Sequence, residues 1–460
     1  MKKIILLLTV AAFTLQLSTA CTDYLESGSI DLTMPEEPEV PFDYPTEYNF
    51  NNPCALIAQA DIDRVKAAIT AADANDPVYA SWLFFCKSQF AQATYQPNPQ
   101  KIVVRGDATG TGVDPNTDTA GPCMRDAAAA FQLALRYRIS GDEMYASTAI
   151  NILNAWARTC IKITANDANY LLLAGFQGYT FANAANMLID WTGWADADKT
   201  AFKNWMMTVW YPHNRDFVLK PGNSNTCALH YWPNWQLCNM SSLLAIGHLM
   251  KDPAIITMVY KNFREGEGSG ALHHMIPYDP VEDPDGKTTG MLAQNMESGR
   301  DQGHATLVIS MCAEMCQMAW NMGIDFFGME NNKVLAMCEY TAKWNARPDG
   351  RFLTTTMPFT EYKYCIDCSC SHKNHGATHT VVTNDAGRGT IRPGWDLVYN
   401  HYAKVKGLGD NACYYSKLFA EQLRYTNGTL TGDGGAGDSR YGGNSSAFDQ
   451  IGWSTMLFTR

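Results

Sequence analysis

The sequence predicts an all-α fold: an α/α toroid, built as an incomplete barrel of antiparallel helical hairpins with long loops over a central cleft. Three observations carry this. Apolar residues recur at helical spacing through most of the chain. Alternating strand patterns of the βαβ kind, a phosphate loop and a dinucleotide fingerprint are all missing from it. The helical hairpins share no fixed sequence period, whereas open solenoids repeat regularly. With 460 residues, 46% hydrophobic and 18% charged, the chain is neither disordered nor fibrous and can bury a sizeable core.

Residues 1–20 read as a signal peptide: Lys2-Lys3, an apolar run from Ile4 through Leu17, then the small residues Ser18 and Ala20. That run is too short to span a bilayer. Cys21 follows at once and resembles the lipidated cysteine of a bacterial lipobox, so a lipid anchor and simple release both fit. Either outcome puts the protein in the cell envelope, in the periplasm or as an outer-membrane lipoprotein. Its one membrane contact would be the anchor at Cys21. Residues 21–53, rich in Pro, Glu and Asp, read as a tether, and residues 54–460 as the toroid domain.

Within that domain Met124, Ala128, Phe131 and Leu135 keep helical spacing, Ile139–Asp142 makes a turn, and Ala149, Ile152 and Trp156 resume the pattern. This predicts an antiparallel helical hairpin. Further helices are expected near 172–190, 198–210, 234–250, 253–264, 300–322, 329–345 and 410–424, with long loops over 266–299 and 346–394. The balance of 35 basic and 46 acidic residues gives a net charge of −11, which argues against nucleic-acid binding. The aromatic content of 12% exceeds what a core requires and suits a cleft that stacks flat ligands.

Of 14 cysteines, Cys86, Cys160, Cys238, Cys312, Cys316 and Cys338 fall inside apolar helical patterns and read as buried small hydrophobes. The cluster Cys365, Cys368, Cys370, His372 and His375 has three readings: zinc ligands, a surface loop with one local disulfide, or a surface loop with free thiols.

Three segments could carry chemistry. In the first, His230-Tyr231-Trp232-Pro233-Asn234-Trp235, Pro233 fits a helix start. Asn234, Trp235, His230 and Tyr231 would gather at the helix mouth, where backbone N–H groups favour an anion. In the second, Glu297-Ser298-Gly299-Arg300-Asp301-Gln302-Gly303-His304, the residues Glu297, Arg300 and His304 would share one helical stripe with Gln302 beside them. Gly299 and Gly303 would let a ligand approach the backbone. In the third, Arg392 and Trp395 suit a sugar carboxylate and a pyranose face, and His401 and Tyr402 suit proton chemistry. A helix with packed aromatics is the equal alternative there.

Together with Asn239, Gly247, Glu339–Lys343, Tyr399–Tyr402 and Asp449-Gln450, these motifs resemble the alginate-lyase-like family of polysaccharide lyases over roughly residues 120–460. The resemblance implies an α/α toroid, an anionic polysaccharide substrate and β-elimination of a uronic-acid polymer such as alginate or glucuronan, with no nucleotide cofactor. On that chemistry the substrate carboxylate must be neutralised before the C5 proton can leave, and Asn234 and Arg300 suit that role. His304 is the expected base, with Tyr231 or Tyr402 as the acid on O4. Glu297 would orient Arg300 or His304. Binding the sugar would fall to His230, Trp235, Glu297, Gln302, Arg392, Trp395 and His401. No metal is required, because Asn234 and Arg300 supply the neutralisation.

Two departures from the family pattern stand out. An Asn-Asn-His run is absent, and the position seven residues after Arg300, a Tyr in the best-known members, is Leu307. Two other classes compete. One is a glycoside hydrolase using Glu297 and Asp301, with Arg300 keeping one of them ionised and so unfit as an acid. The other is a non-catalytic glycan-binding lipoprotein that keeps Trp235, Trp395 and Arg392 and needs no His304.

Overall fold

The computed structural model describes residues 44–222, 227–353, 355–364, 378–383, 387–443 and 445–460. Helices dominate: α1 (Gln59–Ala71), α2 (Pro77–Phe85), α3 (Ala120–Ser140), α4 (Glu143–Thr159), α5 (Tyr170–Asn186), α6 (Asp196–Trp205), α7 (Tyr211–Leu219) and α8 (Pro233–Met250). They continue with α9 (Pro253–Glu265), α10 (Leu272–Met275), α11 (Gln302–Asn321), α12 (Met329–Asn345), α13 (Trp395–Asn400), α14 (Tyr414–Leu423) and α15 (Ser454–Phe458). Strands among the described residues form only two-stranded pairs. One joins β1 (Ile102–Val104) to β2 (Lys162–Thr164) in parallel, and another joins β3 (Tyr362–Lys363) to β4 (Thr378–His379) antiparallel. The expected all-α toroid is the architecture found.

Local chemistry accounts for the hairpins. Gly141 ends α3 in the left-handed region at φ 76°, and the Asp142 side chain then caps α4 by accepting from Met144 N–H. Pro233 opens α8 at its first position, where a missing N–H does no harm, and Lys251 closes it in a left-handed cap. The turn expected at 139–142 and the helices expected at 234–250, 253–264 and 329–345 fall where they were read, although α12 is regular only beyond Asn332. Helices α1, α2 and α7 were not anticipated.

The inner layer consists of α3, α5, α8 and α11, and they run the same way. Near their starts Asn239 of α8 donates to Leu171 O of α5, and near their ends Asn186 of α5 donates to Ala245 O of α8. Between α5 and α11 the Tyr179 hydroxyl donates to Glu314, and Asn183 meets Met318 four residues further along each helix. At the far end of α3, Arg138 donates to Met187 O just beyond α5. Glycine makes the α5–α8 contact close: a Cβ at Gly175 would lie 2.3 Å from Cys238 Sγ. The main core cluster runs from Cys54 to Phe458, with Trp156, Trp210, Trp395 and Trp453 fully buried in it, and a small second cluster joins Trp232, Tyr362 and Tyr364.

The end of the stretch expected as a tether is packed: Asn49 and Asn52 both donate to Asn321 O, and Tyr48 pairs with Thr257. Buried carboxylates hold the outer parts to the frame. Glu339 accepts the N–H groups of Tyr415 and Ser416, Glu314 those of Ile451 and Gly452, and Lys343 pairs with Asp283 and Asp285. Cys86, Cys160, Cys238, Cys312, Cys316 and Cys338 are free thiols, buried or nearly so, as expected. Cys21 and the Cys365–His375 cluster lie outside the described residues. No helix among the described residues is long and apolar enough to cross a membrane.

Candidate active site

Because the inner helices are parallel, their N-termini come to the same end of the layer. A cleft of about 780 Å³ opens there, lined by Asn166–Asn169 before α5, by His230, Tyr231, Trp232 and Trp235 at the start of α8, by Arg300 before α11, and by His379 of β4. Unpaired helix N-terminal N–H groups and aligned peptide dipoles make this end favourable for an anion. The volume is in the range of small-ligand and sugar sites.

Among the described residues, Arg300 is the arginine or lysine on this wall. Its guanidinium lies 4.5 Å from the Trp232 ring, and Trp232 stacks on Tyr364 at 3.7 Å with the planes within 8°. Behind it Glu297, with no exposed surface, accepts from Nη1 at 3.2 Å. Burial pushes the Glu297 carboxyl above its ordinary range, against the opposing pull of Arg300. Arg300 Nε also lies 3.7 Å from Asp301.

Asp301 is the N-cap of α11, and it does two things. Its Oδ1 accepts the backbone N–H of His304 at 2.8 Å, and its Oδ2 sits 2.6 Å from His304 Nδ1. Burial alone would raise the Asp301 carboxyl; the hydrogen bond and charge of His304 outweigh it and hold it below the ordinary carboxylate range. The His304 side chain is 39% exposed, so the ring is anchored at one nitrogen and accessible.

The helix starts at Gln302, later than expected, because Asp301 caps it in an extended conformation. Glu297, Arg300 and His304 therefore meet through a turn and a cap rather than along one helical stripe. Gly299 also serves a different purpose from the one expected. A Cβ there would lie 2.5 Å from the His379 Cβ, so the glycine admits the β3–β4 hairpin, not a ligand. The hairpin is fastened by Tyr362, whose hydroxyl donates to Met296 O and accepts from Gly299 N–H. Burial and the charge of Arg300 both hold His379 below the ordinary imidazole range, beyond what its hydrogen bond with Gly299 restores.

Of the other expected residues, His230, Tyr231 and Trp235 line the cleft together, with the Tyr231 ring 4.7 Å from Trp235 and 4.5 Å from His230. Asn234 does not reach the wall: it is 3% exposed in the first turn of α8, and its Oδ1 has no hydrogen-bond partner among the described residues. Gln302 is buried and structural, donating to Ser298 O and accepting from Asn345.

In the third segment the alternative reading, a helix with packed aromatics, is the one found, and the assignment of Arg392, Trp395, His401 and Tyr402 to the site is corrected. Trp395 packs edge-on against Phe419, and His401 stacks on Phe327 at 3.7 Å with burial pulling its pKa down to about 3. Tyr402 is fully buried and donates to Phe327 O, and burial drives its hydroxyl far above the usual range. Neither can exchange protons with a ligand. Arg392 is likewise buried, bound to Gln450 and Asp449.

Trp232, Tyr364, His379 and the Asn166–Asn169 wall were not singled out in the sequence. Trp232 sat in the right motif without a role. His379 reaches the cleft, and Tyr364 the back of Trp232, only by the pairing of two very short strands, for which the sequence carries no period.

Comparison with known proteins bears on this arrangement. Over 89% of this chain and 97% of the other, the fold matches an apo form of alginate lyase A1-III with TM-score 0.51 at 14% identity. The A1-III enzyme of Sphingomonas species A1 in another crystal structure matches over 63% and 78% with TM-score 0.45 at 17% identity. An alginate lyase from Bacteroides ovatus matches over 82% and 97% with TM-score 0.49 at 13% identity. Such identities speak for a shared fold alone. No curated protein matches by sequence. The alginate lyase family model matches residues 87–350, more than half of the chain, and that span contains the cleft wall from Asn166 to Arg300 together with the Asp301–His304 pair. This polysaccharide lyase therefore belongs to the alginate lyase family.

Proposed function

We propose that the protein cleaves a uronic-acid-containing polysaccharide of the alginate or glucuronan type by β-elimination. The observation that carries the reading is the meeting of Arg300 with the Asp301–His304 pair beside a cleft walled by Tyr231, Trp232 and Trp235. Arg300 offsets the substrate carboxylate, so that charge can build on it as C5 loses its proton. With His304 Nδ1 donating to Asp301, the lone pair on Nε2 is the base. The electrons of the C5–H bond form the C4–C5 double bond, the C4–O4 bond breaks, and O4 takes a proton. Tyr231 is the acid, being the one tyrosine of the two expected that lines the cleft. Trp235 offers an apolar face to a sugar ring.

Hydrolysis by Glu297 and Asp301 is disfavoured. One is sealed behind Arg300, and the other is held ionised by His304, so neither serves as an acid facing the substrate. A purely binding role leaves the Asp301–His304 pair without a purpose. Export by the leader at residues 1–20, with lipidation at Cys21, belongs to the same proposal: a polymer is degraded outside the cytoplasm. Incubation with polymannuronate, polyguluronate and glucuronan while ultraviolet absorbance is followed tests it. A conjugated unsaturated uronate absorbs; new reducing ends without absorbance mean hydrolysis, and silence across the panel favours the binding protein.

A further inference from the structure

The other end of the inner helices carries a second cavity of about 350 Å³, lined on one side by residues 50–53 and elsewhere by Arg138, Asp190, Lys203, His248 and Lys251. His248 and Trp235 lie on the same helix, so at 1.5 Å per residue this cavity is about 20 Å from the cleft. Its charge is unusual for so acidic a chain. Arg138 pairs with Asp190 at 2.5 Å, but neither Lys203 nor Lys251 has a carboxylate partner among the described residues. Burial, then the positive charges of Lys251 and Lys199, hold the Lys203 ammonium below its ordinary range.

Helix C-termini converge here, and their carbonyls could by themselves attract cations. Arg138 answers that demand, since its Nε donates to Met187 O. The two lysine ammonium groups donate to no carbonyl among the described residues. His248 adds an independent sign: it is 3% exposed, and neither ring nitrogen has a hydrogen-bond partner among the described residues. A buried polar group without a partner is costly, so the His248 ring points to a ligand at this site. Phe50 closes the ring on one side at 5.8 Å.

We propose that this cavity is a separate binding site for a small oxyanion held between Lys203, Lys251 and Arg138, with His248 beside it. The oxyanion comes either from a free inorganic anion or from the carboxylate of a uronate released by the enzyme, and the cavity has room for one sugar ring. The site itself stands independently of the chemistry in the cleft, and only the uronate source rests on the proposed function.

Calorimetric titration of the full chain with inorganic phosphate and, separately, with glucuronate, at ionic strength matched with chloride, tests it. Saturable binding of at least one probe is expected, weakened at least tenfold in Lys203→Met/Lys251→Met, with polymer turnover unchanged. Binding of phosphate alone assigns the free anion as source, and binding of glucuronate assigns the uronate. No saturable heat with either probe, or affinity unchanged in the double variant, overturns the proposal. Should the double variant fail to fold, acetylation of the unmodified chain decides: phosphate or glucuronate must protect Lys203 and Lys251, and equal labelling with and without them refutes the site.

Discussion

Replacing Asp301 by Asn separates the chemistry of α11 from its stability. Asn is as good an N-cap as Asp, so the bond to His304 N–H survives and folding stability should change by only a few tenths of a kcal/mol. The contact at 2.6 Å between Oδ2 and His304 Nδ1 does not survive as it was, because an amide offers no charge to orient the ring. A hydrogen bond to a charged group is worth about 1.5–3 kcal/mol, which converts to roughly ten- to a hundredfold in rate. If the amide also imposes the wrong tautomer, the loss reaches about 10⁴-fold, as for comparable carboxylate-to-amide changes in serine protease triads. Initial rates by ultraviolet absorbance, with thermal melts alongside, should give a fall in kcat of about 10–10⁴ with KM and Tm little changed. Asp301→Ala should add about 1 kcal/mol of lost stability from the missing cap. Full activity in Asp301→Asn would refute the assignment of His304 as an oriented base.

Arg300→Ala should lose several orders of magnitude in turnover, since the charge it supplies is felt mostly in the transition state; Arg300→Lys, unable to lie flat on Trp232, should recover only part, as kinetics against the same polymer will show. Tyr231→Phe should abolish turnover in a normally folded protein. Tyr402→Phe should keep turnover and lower stability by about 1–2 kcal/mol through the unpaired Phe327 carbonyl, read by denaturant melts. Burial raises both Glu314 and Glu339 from 4.5 to about 7, against the N–H groups that donate to them. Their folded values lie above their unfolded ones, so the stability they contribute is complete below about 4.5 and is lost as pH rises through about 7. Unfolding free energies across that window should fall with pH, less steeply in Glu339→Gln.

Why one part of the site was legible and another was not follows from the range of each signal. Pro233, the 139–142 turn and the apolar stripes of α8, α9 and α12 act within a few residues, and those elements fell where the sequence put them. Arg300 and His304 were legible as a dense polar run before an apolar helix. The cap at Asp301 shifted the helix start and replaced the imagined stripe by a turn. Trp395, His401 and Tyr402 misled because an aromatic that packs and an aromatic that binds sugar are the same residue types; only burial against Phe327 and Phe419 tells them apart. Tyr364 and His379 depend on strand pairing across a loop, information that no local pattern holds.

The central claim is that the glycosidic bond is broken by elimination and not by water. Digestion of a uronate polymer in heavy-oxygen water, followed by mass spectrometry of the oligosaccharides, tests it directly. Elimination adds no water: the products should carry no heavy oxygen, and each new non-reducing end should be lighter by one water than its hydrolytic counterpart. One heavy oxygen per cleaved bond, with saturated ends, would contradict the account.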